Sequence, residues 1–171
     1  GPGCGGHCIP LDPLYLSWKA KEHGFETRFI DLASSVNEEL PGYTTDRVDS
    51  ILGGLKKGMG KSNILVIGVA YKKDVKDLRE SPAIEIISIL QKRRAKVSFY
   101  DPYFPYLKIN GINLKRSSID KKALKKYDCA VLVTDHSSVD YKYLAKHIKL
   151  ILDTRNVFGK LGIKSKKIVK L

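Results

Sequence analysis

No apolar run in the sequence approaches the roughly 20 residues that a helix needs to span a membrane. No basic stretch followed by an apolar one opens the chain, so no secretory signal is visible. Cysteine is scarce: Cys4, Cys8 and Cys129 are an odd number, which argues against a disulfide framework and for a reducing compartment. These absences predict a cytoplasmic protein that binds no membrane.

The first residue is also not methionine. The chain opens on Gly1-Pro2-Gly3, which reads as the inside of a glycine-rich loop, and we therefore expect the natural N-terminus to lie upstream. The 171 residues present suit one compact domain, alone or with a helical appendage. With 43% hydrophobic residues and no low-complexity tract, the chain can bury a real core.

Basic residues are abundant and give the chain a net charge of +13. Such a charge suits nucleic acid, an anionic surface or an anionic substrate. The 31 lysines and arginines are spread along the chain, however, with no arginine-rich arm and no aromatic-interleaved RNA motif. We therefore expect solvated charged faces and no nucleic-acid partner. A nucleic-acid binder stays open as an alternative, and its binding would collapse with salt.

From Lys61 onward the chain alternates apolar runs with segments of helical periodicity. The run over 63–70 is rich in β-branched residues, as in a strand covered on both faces. Ser81 and Pro82 suit the cap and the first position of a helix. The predicted strands are 63–70, 96–100, 129–134 and 150–153, and the predicted helices are 82–94, 119–127 and 139–147. This alternation predicts a doubly wound, mostly parallel α/β domain.

The segment before Lys61 is predicted to be loop and helix. Residues 1–13 read as a loop and 14–24 as a short helix. A longer helical stretch follows over 26–58, with a kink or break at Pro41-Gly42. The predicted organisation is therefore a loop at 1–13, a helical linker at 14–60 and a Rossmann-like domain at 61–171.

Polar residues follow three of the predicted strands, at the edge where parallel sheets bind ligands. They lie at 71–74, 134–136 and 153–156. Basic residues at two of these ends suit a phosphate better than a bare sugar. The first strand is followed by Gly68 alone and not by G-x-G-x-x-G, so this lobe lacks the usual dinucleotide fingerprint.

Glycines precede Cys8 in the first loop, and they allow the backbone to come close to a ligand. Cys8 is a competent nucleophile if its thiolate is favoured, and Asp12 is placed to orient or deprotonate a water. Cys4, His7 and Cys8 are alternative metal ligands, but C-x-x-x-C is not a zinc-knuckle spacing and no second cluster completes the set, so we expect no metal. A merely structural glycine loop stays open on composition alone.

Four segments together resemble the UDP-glucose/GDP-mannose dehydrogenase family. They are GPGCGGHCIPLDPLYL at 1–16, GVAYKKDVKDLRESP at 68–82, DCAVLVTDH at 128–136 and DTRN at 153–156. They occur in the family's order and span nearly the whole chain, which resembles the C-terminal half of such an enzyme with its UDP-binding domain. The HCIP sequence is similar to that of the branch that oxidises UDP-N-acetylhexosamines. UDP-glucose and GDP-mannose dehydrogenases are the alternatives.

The resemblance implies a four-electron oxidation of a sugar C6 alcohol to a carboxylate, with two NAD as acceptors and a cysteine thioester on the way. It implies that Cys8 is the nucleophile and that Asp12 assists hydrolysis of the thioester. The residues that match binding motifs of the family are Gly3, Gly5, Gly6, His7, Tyr71, Lys72 and Arg155 for the UDP-sugar and Arg79 for NAD.

The NAD-binding lobe of the family has no counterpart in this sequence. We therefore expect the chain alone to lack dehydrogenase activity and still to bind UDP weakly. Residues 26–58 resemble part of the helical region through which family members dimerise, and this implies a homodimer for the full-length protein.

Two arginines also have local structural interpretations. Arg79 is able to pair with Asp77 or Glu80, and Arg155 with Asp153 across a turn. On such interpretations the chain is a non-catalytic nucleotide-binding module in which the cysteine is incidental, and this alternative stays open.

Other polar residues are interpreted structurally. The structural interpretation of Lys72 is an ordinary solvated lysine. Asp101 reads as a turn residue and not as a ribose ligand, and His136 as a hydrogen-bonding group and not as a catalyst. Cys129 opens a strand and is expected to be buried and inert.

Overall fold

The computed structural model describes residues 1–171. Helices α1 to α6 span Cys8–Glu22, Arg28–Gly53, Pro82–Lys92, Lys121–Leu124, Tyr141–His147 and Val157–Lys160. Strands β1 to β7 span Asn63–Ile67, Lys96–Tyr100, Tyr106–Ile109, Ile112–Lys115, Cys129–Leu132, Ile151–Asp153 and Ile168–Lys170. A 3-10 turn at Met59–Lys61 leads from α2 into β1.

Five strands form one parallel sheet in the order β2-β1-β5-β6-β7. β1 pairs with β2 on one side and with β5 on the other, so that Ile64 aligns with Val97 and with Cys129. The winding direction therefore reverses between β1 and β5, and open α/β sheets bind ligands at such switch points. The predicted α/β fold, a mostly parallel sheet preceded by a helical segment, is confirmed.

The sheet is covered on both faces because β1 is apolar on both sides. Ile64 and Val66 belong to a buried cluster that includes side chains of α2 and α3. Leu65 and Ile67 belong to a second cluster, with side chains of α4, α5 and α6. Burial of one large aliphatic side chain contributes about 1.5–3 kcal/mol. These two clusters hold the carboxyl ends of the strands in fixed relative positions.

Ser81 caps α3, as predicted. Its hydroxyl accepts a hydrogen bond from the Ala83 amide at 3.3 Å and donates one to the Val69 carbonyl at 2.7 Å. Pro82 occupies the first helical position, where a missing donor costs nothing. The cap therefore links the start of α3 to the loop that follows β1.

Pro41 and Gly42 do not break the long helix, and the prediction of a break there is wrong. α2 runs without interruption over 26 residues. Proline removes only its own backbone donor, here the one that would reach the Asn37 carbonyl, and the helical bonds on either side remain. The Thr44 hydroxyl donates to a carbonyl of the preceding turn at 2.8 Å. The helix tolerates one lost bond because its inner face packs on α3 and the sheet.

The prediction of a loop over 1–13 is also wrong, because α1 begins at Cys8 and not at Leu14. Pro10 lies in the first turn, where backbone donors have no helical partner, and Pro13 removes one bond from the next turn. The two prolines that suggested a loop are therefore compatible with a helix. The loop is confined to residues 1–7.

The sequence analysis does not predict the β3–β4 hairpin or the edge strand β7. The hairpin turns at Asn110-Gly111, where φ is 49° and 79°, and this dipeptide is favoured in two-residue hairpin turns. β7 pairs with β6 at one edge of the sheet. A three-residue strand that ends in Lys170 carries too little apolar pattern to stand out in a lysine-rich tail.

α1, the turn that follows it and the first half of α2 expose many large apolar side chains. They are Ile9, Tyr15, Leu16, Trp18, Phe25, Phe29, Leu32 and Val36. Single exposed apolar residues are normal, but this number on one contiguous stretch of chain is unusual. No helix of the fold combines the length and the apolar character that crossing a membrane requires.

Candidate active site

We call the loop of residues 1–7, together with Cys8, the cysteine loop; hydrogen bonds to its backbone hold it against the rest of the chain. The Gly6 amide donates to the Arg79 carbonyl at 2.9 Å. The Asn37 side chain, on α2, accepts from the Cys4 amide at 2.7 Å and donates to the Cys4 carbonyl at 3.0 Å. The cysteine loop therefore lies between α2 and the segment that joins β1 to α3.

Gly5 and Gly6 occupy a space that has no room for a larger residue. A Cβ atom on Gly5 would overlap the Glu80 carbonyl oxygen and would lie 3.0 Å from the Tyr71 Cβ. A Cβ on Gly6 would lie 2.8 Å from the Tyr71 ring, and Gly6 has a φ of 96°, which other residues rarely adopt. Both glycines therefore let the cysteine loop lie directly on Tyr71 and Glu80.

Cys8 is the first residue of α1, and Asp12 follows about one helical turn later. Residues four apart are neighbours on one helix face, so both side chains lie on the same face. Both residues are exposed. The His7 side chain makes no capping hydrogen bond, which leaves first-turn amides of α1 available. The dipole of a 15-residue helix favours negative charge at this end.

Arg79 pairs with Asp77, which is one of its two local interpretations. The Arg79 Nη2 lies 2.8 Å from Asp77 Oδ2, and the Nε lies 3.0 Å from the same oxygen. This hydrogen-bonded pair raises the pKa of Arg79 and lowers the pKa of Asp77. The Arg79 carbonyl accepts from the Gly6 amide, so Arg79 is joined to the cysteine loop through its backbone, while its side chain pairs with Asp77.

Lys72 and Arg155 follow β1 and β6, and Lys72 is exposed. The Arg155 Nε lies 3.3 Å from Asp135 Oδ1. The Arg155 side chain therefore pairs with Asp135, and the only bond from Arg155 to Asp153 is donated by its backbone amide, at 3.1 Å. A Cβ on Gly1 would lie 3.3 Å from Arg155 Nη1, so the cysteine loop begins beside this arginine.

The structure thus places the cysteine loop beside two strand ends, those of β1 and β6. The start of the loop lies beside Arg155, and its glycines lie on Tyr71. Lys72 and Asp12 form no hydrogen bond with Cys8 or with each other. The candidate nucleophile and the candidate anion ligands therefore lie along one edge of the sheet without being joined into a single bonded network.

A buried carboxylate lies in the crevice at the end of β1. Asp101 Oδ2 accepts from the Val69 and Ala70 amides at 2.7 and 3.2 Å and lies 3.0 Å from His136 Nε2. Its Oδ1 accepts from the Tyr103 amide at 2.8 Å, which closes a turn. Burial alone would raise the pKa of Asp101, but the hydrogen bonds from His136 and the backbone amides hold that pKa below its ordinary value. Asp101 and His136 are both fully buried, so neither is available to a ligand.

The residues at the switch point do not fit NAD. Free amides of a glycine-rich turn after the first strand bind the pyrophosphate of a dinucleotide. Here the Val69 and Ala70 amides already donate to Asp101. No group of three or more His, Cys, Asp or Glu side chains is placed to hold a metal ion.

A cavity of about 1140 Å³ lies between α2, α3 and residues 77–82. Cys4 lines it, and Cys8 does not. Its acidic lining residues are Glu38, Glu39, Asp46, Asp77, Glu80 and Glu85, and Arg79, paired with Asp77, is its one basic lining residue. Since this many carboxylates repel a phosphate, we do not assign the nucleotide to this cavity.

The sequence analysis misses Asn37 and the Glu80 carbonyl as parts of the site. Asn37 binds the backbone of Cys4, and Glu80 contributes a backbone oxygen against Gly5. Backbone contacts of this kind leave no pattern in the side chains. The one signal for Asn37 is a poor helix former inside a helical pattern.

Gly5→Ala is expected to displace the cysteine loop, because the new methyl group has no space beside Glu80. Overpacking costs about 1–3 kcal/mol. We expect faster hydrogen exchange at the Gly6 amide and an unfolding temperature lower by about 2–12 °C. Gly42→Ala is the matched control, since a Cβ there meets open space. Unchanged exchange at Gly6 in Gly5→Ala would contradict the packing role.

A Rossmann-like sheet and a docked glycine-rich loop that leads into a helix beginning at a cysteine define a class of nucleotide-binding α/β proteins. The chain belongs to the UDP-glucose/GDP-mannose dehydrogenase family. The UDP binding domain of this family matches residues 65–160, and its central domain matches residues 1–39.

Several relatives are similar along nearly the whole chain. UDP-N-acetyl-D-mannosamine dehydrogenase of Methanococcus maripaludis is 34% identical over 92% of this chain and 36% of its own length. NDP-N-acetyl-D-galactosaminuronic acid dehydrogenase of Ralstonia solanacearum is 33% identical over 93% of this chain and 36% of its own length. The solved structure of UDP-D-ManNAc dehydrogenase from Pyrococcus horikoshii matches with a TM-score of 0.78 at 29% identity, over 99% of this chain and 39% of that one. This chain spans little more than a third of the length of these relatives.

Proposed function

We propose that this chain is the C-terminal part of an NAD-dependent nucleotide-sugar 6-dehydrogenase, which oxidises the C6 alcohol of a UDP-sugar to a carboxylate. The observation that carries the proposal is the docking of the cysteine loop on the segment after β1, where the Gly6 amide donates to the Arg79 carbonyl and Cys8 begins α1 two residues later. The similarity to dehydrogenases of nucleotide sugars along nearly the whole chain supports the same reaction.

In the proposed reaction Cys8 is the nucleophile. The C6 alcohol first loses a hydride and its hydroxyl proton to give an aldehyde. The Cys8 thiolate adds to the aldehyde carbon, and the former carbonyl oxygen takes up a proton to give a thiohemiacetal. Loss of a second hydride from C6, together with the hydroxyl proton, converts this adduct into a thioester. Water then attacks the thioester carbonyl, the carbon–sulfur bond breaks and the thiolate leaves. Asp12 is proposed to accept the proton of that water.

This chemistry needs a hydride acceptor, and NAD is the one that the family resemblance implies. Because the switch point of this lobe does not fit a dinucleotide, we propose that other parts of the enzyme hold it, with Arg79 as the contact from this chain. The Arg79 side chain is 64% exposed beside Asp77, which leaves room for that contact. Formation of NADH by the purified 171-residue chain would contradict this division of labour.

Lys72 and Arg155 are the proposed ligands of the UDP diphosphate, because cations at strand ends suit a phosphate. Gly3, Gly5, Gly6 and His7 are proposed to contact the sugar. Tyr71 is proposed to line the substrate site, and its contact with Gly6 would also hold the cysteine loop. We propose an N-acetylhexosamine as the sugar, because the relatives are dehydrogenases of such compounds. UDP-glucose and GDP-mannose are the alternative substrates.

Calorimetric titration of the chain with UDP tests the binding part of the proposal. We expect saturable binding that Lys72→Ala and Arg155→Ala each weaken about tenfold, since a hydrogen bond to a charged group contributes about 1.5–3 kcal/mol. Lys76→Ala is the control, an exposed lysine of the same segment, and should change affinity by less than about twofold. Equal losses in all three variants would mean that binding follows net charge and no site.

We also propose that the full-length protein is a homodimer that pairs through the exposed apolar side chains of α1 and α2. Phe29, 88% exposed, is the most exposed of them. Sedimentation of the full-length protein as a monomer would contradict this pairing. A cytoplasmic location is proposed because all three cysteines are free thiols.

A further inference from the structure

We propose that His136 is a positioning residue for the segment that carries Lys72. The proposal rests on the UDP-binding role proposed above for Lys72. His136 follows β5, is fully buried and uses both ring nitrogens. Its Nδ1 accepts from the Asp74 amide at 3.0 Å, and its Nε2 lies 3.0 Å from Asp101 Oδ2.

The two partners define the protonation state of the His136 ring. The Asp74 amide only donates, so Nδ1 is an acceptor and carries no proton. The Asp101 carboxylate accepts backbone hydrogen bonds on both oxygens, and it is ionised at neutral pH. It therefore accepts the Nε2 proton. The ring is the neutral Nε2–H tautomer, and a ring flip would break both hydrogen bonds.

Neighbours of His136 fasten the same segment at further points. The Ser137 amide and hydroxyl donate to the Asp74 carboxylate at 2.8 and 2.7 Å. The Thr134 hydroxyl donates to the Ala70 carbonyl at 2.7 Å. Residues 134–137 thus bind the Lys72 segment at its start and at its end. Lys72 lies between these anchors.

The Asp74 amide bond matters because the backbone at this residue is not relaxed. Asp74 has a φ of 59°, which residues other than glycine adopt at a cost of about 1 kcal/mol or more. His136 and Ser137 compensate for that cost. Without the His136 acceptor, Asp74 would return to a commoner conformation, and the backbone of Lys72, two residues earlier, would shift.

His136 affects both halves of the site through this segment. Lys72 is the proposed phosphate ligand, and Tyr71 packs against Gly6 of the cysteine loop. His136 itself is fully buried and touches neither the substrate site nor Cys8. Its role is therefore indirect, and substitutions of His136 should alter substrate affinity only as far as they release Asp74.

Two substitutions of His136 distinguish an effect on the position of Lys72 from an effect on fold stability. Each substitution keeps one of the two hydrogen bonds. His136→Asn retains an acceptor near Nδ1 for the Asp74 amide and loses the donor to Asp101. His136→Gln retains a donor near Nε2 for Asp101 and loses the acceptor for Asp74. Because each removes one buried hydrogen bond, we expect similar losses of unfolding temperature. UDP affinity should fall about fivefold in His136→Gln and stay within about twofold of the wild type in His136→Asn.

A double-mutant cycle tests whether the effect passes through Lys72. On a Lys72→Met background, His136→Gln should not reduce UDP affinity further, because the lysine that it positions is gone. Equal affinity losses in His136→Asn and His136→Gln, or losses that add to that of Lys72→Met, would show that His136 acts on stability alone.

Hydrogen exchange without ligand separates failure of this inference from failure of the UDP-binding role. The Asp74 amide should exchange at least about fivefold faster in His136→Gln than in His136→Asn. If exchange differs in this way and the wild type binds no UDP, the positioning stands and the UDP-binding role is wrong. If His136→Gln leaves exchange at the Asp74 amide unchanged, the positioning role of His136 is wrong, whether or not the chain binds UDP.

Discussion

Cys8→Ser in the full-length enzyme is expected to lower kcat for carboxylate formation by at least about 10³-fold. A hydroxyl is a much weaker nucleophile than a thiolate at neutral pH, and no general base is hydrogen-bonded to residue 8. Asp12, about one turn further along α1, forms no hydrogen bond that would activate a serine at position 8. The measurement is the steady-state rate of carboxylate formation from a UDP-N-acetylhexosamine, because NADH also reports the first oxidation, in which the thiolate takes no part.

Cys4→Ser is the matched control for this substitution. Cys4 is exposed in the same loop, and Asn37 binds it only through its backbone, so its side chain is free to change. We expect activity within about twofold of the wild type. Equal loss in both variants would show that the loop tolerates no change, and full activity in Cys8→Ser would remove Cys8 from the mechanism. UDP affinity should be unchanged by Cys8→Ser, which separates chemistry from binding.

The sheet could be predicted because its central strands are buried on both faces. Apolar runs such as those that contain β1 and β5 are recognisable in the sequence as buried strands. Their order along the chain is compatible with few sheet topologies. The polar strand ends were predictable for the same reason, since the carboxyl ends of parallel strands share one edge. Cys129, buried among apolar residues with its pKa raised to about 12 by burial, confirms the prediction of a buried cysteine.

Helix boundaries at prolines and backbone contacts could not be predicted. A proline reads as a break, but whether a helix continues depends on packing elsewhere, as for Pro41 on the inner face of α2. The partner of Arg155 depends on how far β5 and β6 each extend at the carboxyl edge of the sheet. There Asp135, which follows β5, lies within reach of the Arg155 side chain. The Asn37 clamp depended on where α2 crosses the cysteine loop. These are consequences of tertiary structure that no local pattern carries.

Asp101→Asn is expected to destabilise the fold by about 3 kcal/mol, and to lower the unfolding temperature by about 6–12 °C at pH 7. The carboxylate accepts from the Val69, Ala70 and Tyr103 amides and from His136, all in a buried crevice. An amide of the same shape turns one acceptor into a donor, which then faces other donors without a partner. Thermal unfolding of the two proteins measures the difference.

The pH dependence of that difference identifies the charge as its cause. The folded-state pKa of Asp101 is below its ordinary value of 3.8, so its stabilising effect is fully present above about pH 4 and is lost as the pH falls through the lower folded-state pKa. The gap in unfolding temperature between wild type and Asp101→Asn should be constant from about pH 7 to 5 and narrow below about pH 4. Asp120→Asn is the control, because its carboxylate caps the exposed helix α4 and should matter much less. A gap that persists unchanged in acid would mean that the shape of the new amide, and not the lost charge, destabilises the sheet edge.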